Sequence, residues 1–450
     1  MKDFTLAEIA KACNGEYVGD ESLKNTKITS VERDSRQVKN GSLFLGIKGE
    51  RVDGHDFIEK CFAQGAVCAL CEKAPENATK PCIVVSSTLD AVKKIGRAYR
   101  EKFDIPVIGI SGSVGKTSTK EMLYAVLSQK LKTHKTQGNL NNELGVPLTL
   151  LSMPEDTEAA VIEMGISDFG EMTRLSEMVQ PTICVLTIIG ECHLENLGNR
   201  DGVLKAKTEM FKNARENADF ILNGDDDKLS TVKTVNGKKP VFFGLDAKND
   251  FYAKNIKNSG DGKVLATLCF DNNNIDVEIP AIGTYMVTNA LAAAAAGKLL
   301  GLTDEEIANG VASYKTVGSR ANVINTGKIK IIDDCYNANP TSVRASLDTL
   351  SNLDGRKVAI LGDMKELGSE KLKLHFDTGV YAKSKDIGTV ITVGELAKEL
   401  AKGADGKAFD TIEDAKPEIL KTIKSGDVVL VKASHSMQFE NIVEFLKQNF

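Results

Sequence analysis

The sequence predicts an α/β protein of three domains: a small α/β unit, a central phosphate-loop unit on a parallel sheet, and a C-terminal Rossmann-like doubly wound unit. Three observations carry that expectation. The chain of 450 residues exceeds what one hydrophobic core serves, at roughly 150 residues per domain. Continuous apolar runs such as IPVIGI, AAVIEMG and TICVLTIIG read as strands buried on both faces, the mark of a parallel sheet covered by helices. A second series of such runs alternates with helical patterns up to the C-terminus. With 42% hydrophobic residues, 26% charged and 10 prolines, the chain can bury a sizeable core and is neither disordered nor collagen-like.

In chain order, residues 1–88 alternate SLFLGI, GAVCALCE and PCIVVSS with the helical stretch HDFIEKCFAQG, a small α/β domain. Residues 89–316 open on LDAVKKIGRAYREKF, with apolar Leu89, Val92, Ile95, Ala98 and Tyr99 at helical spacing, and continue into the first parallel-sheet series. The alanine tract in NALAAAAAGKLLG reads as the buried face of a helix packed closely on a neighbour, and no apolar run reaches the length of a membrane span. At 317–450 the segment VGSRANV breaks the helical pattern. Strands IKIID, KVAIL, GTVITVG and DVVLVK then alternate with helices TSVRASLDTLSNL and MQFENIVEFLKQ. The 57 basic against 62 acidic residues give a net charge of −5 without a basic arm, so no nucleic-acid partner is expected. The start, MKDFTLAEIAKACNG, is amphipathic with an acid at position 3, unlike a secretory signal, and a cytoplasmic location is expected. Nine cysteines in mostly apolar contexts fit buried thiols. Cys68 and Cys71 would face opposite sides of a strand, which argues against a zinc or redox pair.

The sharpest local signal is Ile108-Gly109-Ile110-Ser111-Gly112-Ser113-Val114-Gly115-Lys116-Thr117, a strand running into a glycine turn and then a helix with apolar Met122, Leu123, Val126 and Leu127. Glycines let successive backbone N–H groups face phosphate oxygens, a lysine reaches the terminal phosphates and a threonine hydroxyl ligates Mg²⁺. Ile110 stands where the longer form of this motif has glycine, so the match is to G-x-x-G-K-T. Kinases, GTPases, helicases and ligases share such a loop, which names the nucleotide and not the reaction. Glu163 ends a buried strand, where a carboxylate needs a cation, and His193 follows the next strand at the same sheet edge.

Several motifs in order resemble the Mur ligases of peptidoglycan synthesis: GSVGKTSTKEM, TQGNLNNELGVPLTLL, AAVIEMG, HLENLGNRDGVLKAKTEMF, IIDDCYNANPTSVRASL, LGDMKELG and VKASHSMQFENIV. The N-terminal ITSVERDSRQVKNGSLFLGIKGERVDGHDF is similar to the uridine-nucleotide domain of that family. GNLNN, YNANP and GDMKELG point to the activity that adds D-alanyl-D-alanine to UDP-N-acetylmuramoyl-tripeptide rather than to those adding earlier amino acids. The resemblance implies an ATP- and Mg²⁺-dependent ligase; the sequence leaves the oligomeric state open, and a monomer is expected. It places Gly112, Ser113, Gly115, Lys116 and Thr117 on the ATP phosphates, Asn289 on adenine, Arg320 on the γ-phosphate and Asp334 on ribose. Thr117, Glu163, His193 and a carbamylated Lys207 would hold metal, with Lys116, His193, Lys207 and Arg320 carrying catalysis. Lys205, about 200° around the helix from Lys207, would not share that place. Ser30, Ser35 and Arg36 fall in the uridine segment, and Asn337, Asn339 and His435 are candidates for the dipeptide. Two departures from the family pattern stand out: Tyr285-Met286 replaces a His-Asn pair, and Lys432-Ala433-Ser434-His435 has histidine in place of arginine.

Overall fold

The structure, a computed structural model, describes every residue except 50, 260, 261 and 272. The first sheet orders its strands Glu16–Val18, Cys82–Val84, Cys68–Cys71, Ser42–Leu45 and Ser30–Glu32. All are parallel except Glu16–Val18, which runs antiparallel to its neighbour. Cys68 packs with Leu6 and Ile9 on one face, whereas Cys71 packs with Ile58 and Phe62 on the other, and all nine cysteines are buried free thiols.

The helix Thr88–Glu101 bridges to the second sheet, capped at its start by the Ser87 hydroxyl accepting from the Asp90 N–H. Its buried face is Ala91, Val92, Ile95, Tyr99 and Arg100, while Leu89 is exposed. The expected apolar stripe is corrected at both ends. Leu89 sits in the first turn on the solvent side, and the fully buried Arg100 earns its place by hydrogen bonding. Its Nε donates to Val179 O at 2.9 Å, Nη1 to Phe103 O at 2.7 Å and Nη2 to Gln180 O at 3.3 Å. The guanidinium thereby satisfies carbonyls at the end of helix Glu171–Val179 that the helix itself cannot. One continuous core runs from Phe4, Leu6 and Leu43 through Ile95 and Tyr99 to Leu150, Leu175 and Leu222.

The second sheet has six parallel strands in the order Val241–Phe243, Asp219–Asn223, Ile183–Leu186, Val107–Ser111, Ala159–Glu163 and Thr133–Lys135. Strand Val107–Ser111 lies at its centre, and the next two strands in sequence to pair with it take opposite sides. The carboxyl end of such a strand is where connections diverge and a crevice opens. The alanine helix Tyr285–Leu299 buries Ala290 and Ala292 to Ala296 against Lys116–Leu127, small side chains permitting close approach. A three-stranded antiparallel sheet, Tyr252–Asn258, Val264–Phe270 and Asn273–Ile279, shares this core and was not anticipated. Its signal is the strict alternation of buried Ile275, Val277 and Ile279 with exposed Asn274, Asp276 and Glu278.

The third sheet orders Asn322–Asn325, Lys330–Asp333, Asp427–Lys432, Arg356–Gly362, Thr389–Val393 and Lys407–Phe409, with the first strand antiparallel and the rest parallel. Its two faces are filled by clusters of their own, around Val358, Ile360 and Phe439 on one side and Leu347, Leu361 and Leu430 on the other. No helix among the described residues is long and apolar enough to cross a membrane.

Arg100→Met keeps the apolar stem but strands the carbonyls of Phe103, Val179 and Gln180. At about 1–3 kcal/mol for a buried group left unmatched, the unfolding midpoint should fall clearly, by an amount equivalent to about 2–4 kcal/mol in denaturant titration. An unchanged midpoint would show that these bonds add no net stability.

Candidate active site

Strand Val107–Ser111 delivers the chain to a loop that only glycine can make at two points. A Cβ on Gly112 would lie 1.9 Å from Thr187 Oγ1, and Gly115 has φ +86°. Gly115 is the cap of helix Lys116–Leu127 and offers no side-chain acceptor, so the first N–H groups of that helix are open to an anion. Lys116 Nζ donates to Gly112 O at 2.8 Å, folding back over the loop. Burial pushes its ammonium below the ordinary lysine range, with Glu163 opposing and Arg320 adding to the effect.

Glu163 ends its strand 1% exposed. Its Oε1 accepts from Asn141 Nδ2 at 2.8 Å and its Oε2 from the Thr117 hydroxyl at 2.9 Å, while its own N–H donates to Thr136 Oγ1. The cation it needs is Lys120, fully buried, with Nζ 3.6 Å from Glu163 Oε2 and 3.1 Å from Glu121 Oε1. Lys120 and Asn141 were not singled out from sequence. Lys120 lies one helical turn after Lys116, and that spacing is the signal that could have found it.

His193 holds a left-handed backbone, φ +51°, at the start of helix Leu194–Leu197. Its Nδ1 lies 2.5 Å from Glu366 Oε2, which comes from the third sheet's LGDMKELG segment, and this neighbour holds the Glu366 carboxyl below the usual range. A second bridge stands beside it: Thr341 Oγ1 donates to Glu191 Oε2 at 2.6 Å. Lys207, on helix Arg200–Thr208, is 1% exposed, and its ammonium has no acceptor within reach among the described residues. Burial, with repulsion from Lys116, pushes its pKa down to about 8. Lys205 instead is exposed, its ammonium over the Phe169 ring.

A cleft of about 480 Å³ joins the phosphate loop, Glu163 and His193 to the third unit. Ser113, Gly115, Lys116, Thr117, Glu163, His193 and Asn289 line one side, and Arg320, Asp334, Asn337 and Asn339 the other. Asn289 Oδ1 accepts from Thr119 Oγ1 at 2.9 Å, and Tyr285, one turn earlier, lines the same wall. Asp334 is held through Oδ2 by Lys432 and Ser346, each at 2.6 Å, and through Oδ1 by the Ala321 N–H. Asn339 caps helix Pro340–Ser351, and Asn337 Oδ1 accepts from the Ala338 N–H. The Arg320 guanidinium stacks on Tyr336, 3.6 Å from the ring centroid. Tyr336, a further lining residue that was not singled out, has its other ring neighbour in His435, at 5.7 Å between centroids.

Six sequence candidates do not line this cleft: Gly112, Lys207, His435, Ser30, Ser35 and Arg36. His435 is exposed beyond Tyr336. Ser30, Ser35 and Arg36 belong to the first unit, where Ser30 Oγ lies 2.9 Å from Ser42 Oγ and the exposed Arg36 pairs with Asp34.

Among the described residues, no three His, Cys, Asp or Glu side chains form a ready-made metal cage. The residues nevertheless fit Mg²⁺, which takes few protein oxygens and keeps several waters. Glu163 and the Thr117 hydroxyl are hard donors already in contact, and Lys207 is a buried amine that a carbamate would turn into a third.

Family models match the chain in three consecutive blocks: Mur ligase family, catalytic domain, at 27–111; Mur ligase middle domain at 110–297; and Mur ligase, glutamate ligase domain, at 319–435. A Bacillus subtilis (strain 168) protein named UDP-N-acetylmuramoyl-tripeptide–D-alanyl-D-alanine ligase is 36% identical over 457 residues, covering 98% of each chain. Among solved structures, MurF from Acinetobacter baumannii superposes with a TM-score of 0.92 at 32% identity, over 100% of this chain and 99% of that one. MurF ligase from Thermotoga maritima in complex with ADP gives 0.83 at 30% identity, over 93% and 97%. Matched along its whole length in sequence and in fold, the chain belongs to the Mur ligase family.

Proposed function

We propose that the protein is an ATP-dependent, ADP-forming amide ligase that joins D-alanyl-D-alanine to UDP-N-acetylmuramoyl-tripeptide, a cytoplasmic step of peptidoglycan precursor synthesis performed by a monomer. The observation that carries this reading is the cleft itself, in which a phosphate loop and Arg320 face each other from two units. The relatives' names supply the substrates. Residues 1–88 serve the uridine nucleotide through Ser30, Ser35 and Arg36, residues 89–316 bind ATP, and residues 317–450 bring Arg320, Asp334 and the dipeptide candidates Asn337, Asn339 and His435.

An unactivated carboxylate is a poor electrophile. A tripeptide carboxylate oxygen therefore attacks the γ-phosphorus, ADP departs, and an acyl phosphate results. The dipeptide amine then attacks the acyl carbon, a C–N bond forms, the C–O bond to phosphate breaks, and the amine loses a proton. Thr117, Glu163, His193 and a carbamylated Lys207 would hold Mg²⁺, which would supply charge neutralisation at the phosphates. Lys116 and Arg320 add fixed positive charge, and the open helix N-terminus orients the phosphate chain. Asn289 and Asp334 take the adenine and ribose. Bringing groups into line in this way is worth about 7–11 kcal/mol of barrier in favourable cases.

The deciding assay is ATP-dependent phosphate release with product mass. Hydrolysis of ATP by folded protein that never yields the pentapeptide, with both substrates present, would sink the reading and leave a phosphate-loop switch. Lys116→Ala should remove most turnover while calorimetry shows uridine-nucleotide affinity intact; equal loss of both would contradict the division of labour. Arg320→Ala should lower kcat more than ATP affinity, since its charge acts on the transferring phosphoryl group. Lys207→Ala should lose activity, regain part of it with a short carboxylic acid in the buffer, and differ from Lys205→Ala, which stays active. Lys207 also has a stability signature in metal- and CO₂-free buffer. Its folded pKa, about 8, lies below the unfolded 10.5. Below pH 8 both states carry the proton and the full burial penalty applies. Between pH 8 and 10.5 the folded state sheds its proton first, so this group's contribution rises by about 3 kcal/mol at 1.36 kcal/mol per pKa unit. Lys207→Met should remove that rise from the pH–stability curve, and an identical curve would refute the assignment.

A further inference from the structure

Asn289 faces the nucleotide cleft while only 6% exposed, and both ends of its side-chain amide already have partners inside the protein. Its Oδ1 accepts from the Thr119 hydroxyl at 2.9 Å, and its Nδ2 donates to Met286 Sδ at 3.4 Å. Thr119 is fully buried on helix Lys116–Leu127, one turn after Gly115, and its own N–H donates to the Gly115 carbonyl. Met286 is buried at the start of helix Tyr285–Leu299, one turn before Asn289. Both helices belong to one apolar core, which holds the two partners in place. A thioether sulfur only accepts hydrogen bonds, so turning the amide over would set Oδ1 against a second acceptor and give up the sulfur contact. The amide therefore has one favoured orientation.

An asparagine amide carries two lone pairs on oxygen and two N–H groups on nitrogen. One of each is spent on Thr119 and Met286, which leaves one lone pair and one N–H, in a fixed order, for a group that enters the cleft. A 6-aminopurine matches such a pair, because its amino donor stands beside a ring-nitrogen acceptor. A 6-oxopurine reverses the order on its Watson–Crick edge, with an acceptor at position 6 beside the N1–H donor, and an amide would have to turn over to read it. We infer that Thr119 is a positioning residue: with Met286 it fixes the Asn289 amide so that the cleft selects a 6-aminopurine nucleotide over a 6-oxopurine one. The inference rests on the proposed placing of adenine at Asn289. The right base gains two hydrogen bonds from the fixed amide, whereas the wrong base brings like groups face to face and leaves them unpaired.

The test measures the binding of ADP, inosine diphosphate and pyrophosphate to full-length protein by calorimetry, at one Mg²⁺ concentration throughout. Pyrophosphate carries the charge without a base. Wild type should bind ADP roughly 5- to 150-fold more tightly than inosine diphosphate, the worth of one bidentate base contact. Thr119→Val should narrow that ratio about 2- to 12-fold, the worth of one hydrogen bond, and Thr119→Ser should keep it at the wild-type value. Pyrophosphate affinity should be the same in all three proteins. The ratio is a readout that general damage to the helix would not move, since such damage weakens both nucleotides alike. Met286→Leu, which removes the sulfur and nearly keeps the volume, should narrow the ratio in the same direction. An unchanged ratio in Thr119→Val, or in Met286→Leu if the valine variant fails to fold, would overturn the inference. So would equal losses of all three ligands in Thr119→Val, or a wild type that binds both nucleotides alike. Asn289→Ala separates the two levels of the reading. It should abolish the preference; a wild-type ratio in that variant would show that Asn289 is not the base contact and would remove the inference with it, whereas a lost ratio there beside an unchanged one in Thr119→Val would remove the positioning role alone.

Discussion

Glu163 stands at the end of a strand almost sealed from water, and a carboxylate so placed must find its countercharge inside the protein. Lys120 provides it from the phosphate-loop helix, Thr117 and Asn141 take up the remaining lone pairs, and Thr136 fixes the backbone. This one arrangement ties the helix that begins at Lys116 to the strand beside it and to the connection that carries Asn141. Lys120 is shared with Glu121, which in turn pairs with Lys135 on the edge strand. The phosphate loop is thus the exposed end of a charge network that reaches through to the edge of the sheet.

The other half of the cleft depends on contacts of a different kind. Arg320 on Tyr336, Lys432 on Asp334 and Asn339 on Ser342 are all internal to the C-terminal unit. They preorganise one wall of the cleft without reference to the other. The two walls meet through few polar contacts, Glu191 with Thr341 and His193 with Glu366 prominent among them. Apolar contact adds to them, since Ile282 of the central unit is buried in the third unit's core and Leu374 packs against the core of the first two.

What the sequence made legible follows from the range of each signal. Strands buried on both faces show as continuous apolar runs, so Val107–Ser111, Ala159–Glu163 and Arg356–Gly362 could be read directly. The loop from Gly112 to Thr117 is contiguous, so its strand–turn–helix form could be read too. The antiparallel sheet Tyr252–Asn258, Val264–Phe270 and Asn273–Ile279 is less legible although Ile275, Val277 and Ile279 alternate cleanly, because a half-exposed strand makes no continuous apolar run. The burial of Arg100 has no local signal, since two of the carbonyls that justify it lie some eighty positions away at Val179 and Gln180. Glu366 is legible only as part of a motif; its partner His193 lies in another unit, and no local pattern encodes that meeting. His435 was grouped with the cleft by its place in a motif, and Tyr336 stands between them.

The unbroken core that links Leu43 and Tyr99 to Leu222 has a consequence for selection among substrates. Two units joined through shared apolar side chains hold residues 1–88 and the phosphate loop at a set separation, while the C-terminal unit packs mainly through clusters of its own. On the proposed reading, the first two units act as a caliper. A peptide stem that is too short leaves its carboxylate shy of the γ-phosphorus, and one that is too long overshoots it. Chain length would then be measured by the scaffold before any side chain of the peptide is inspected, and the third unit would close only on stems that fit the gap.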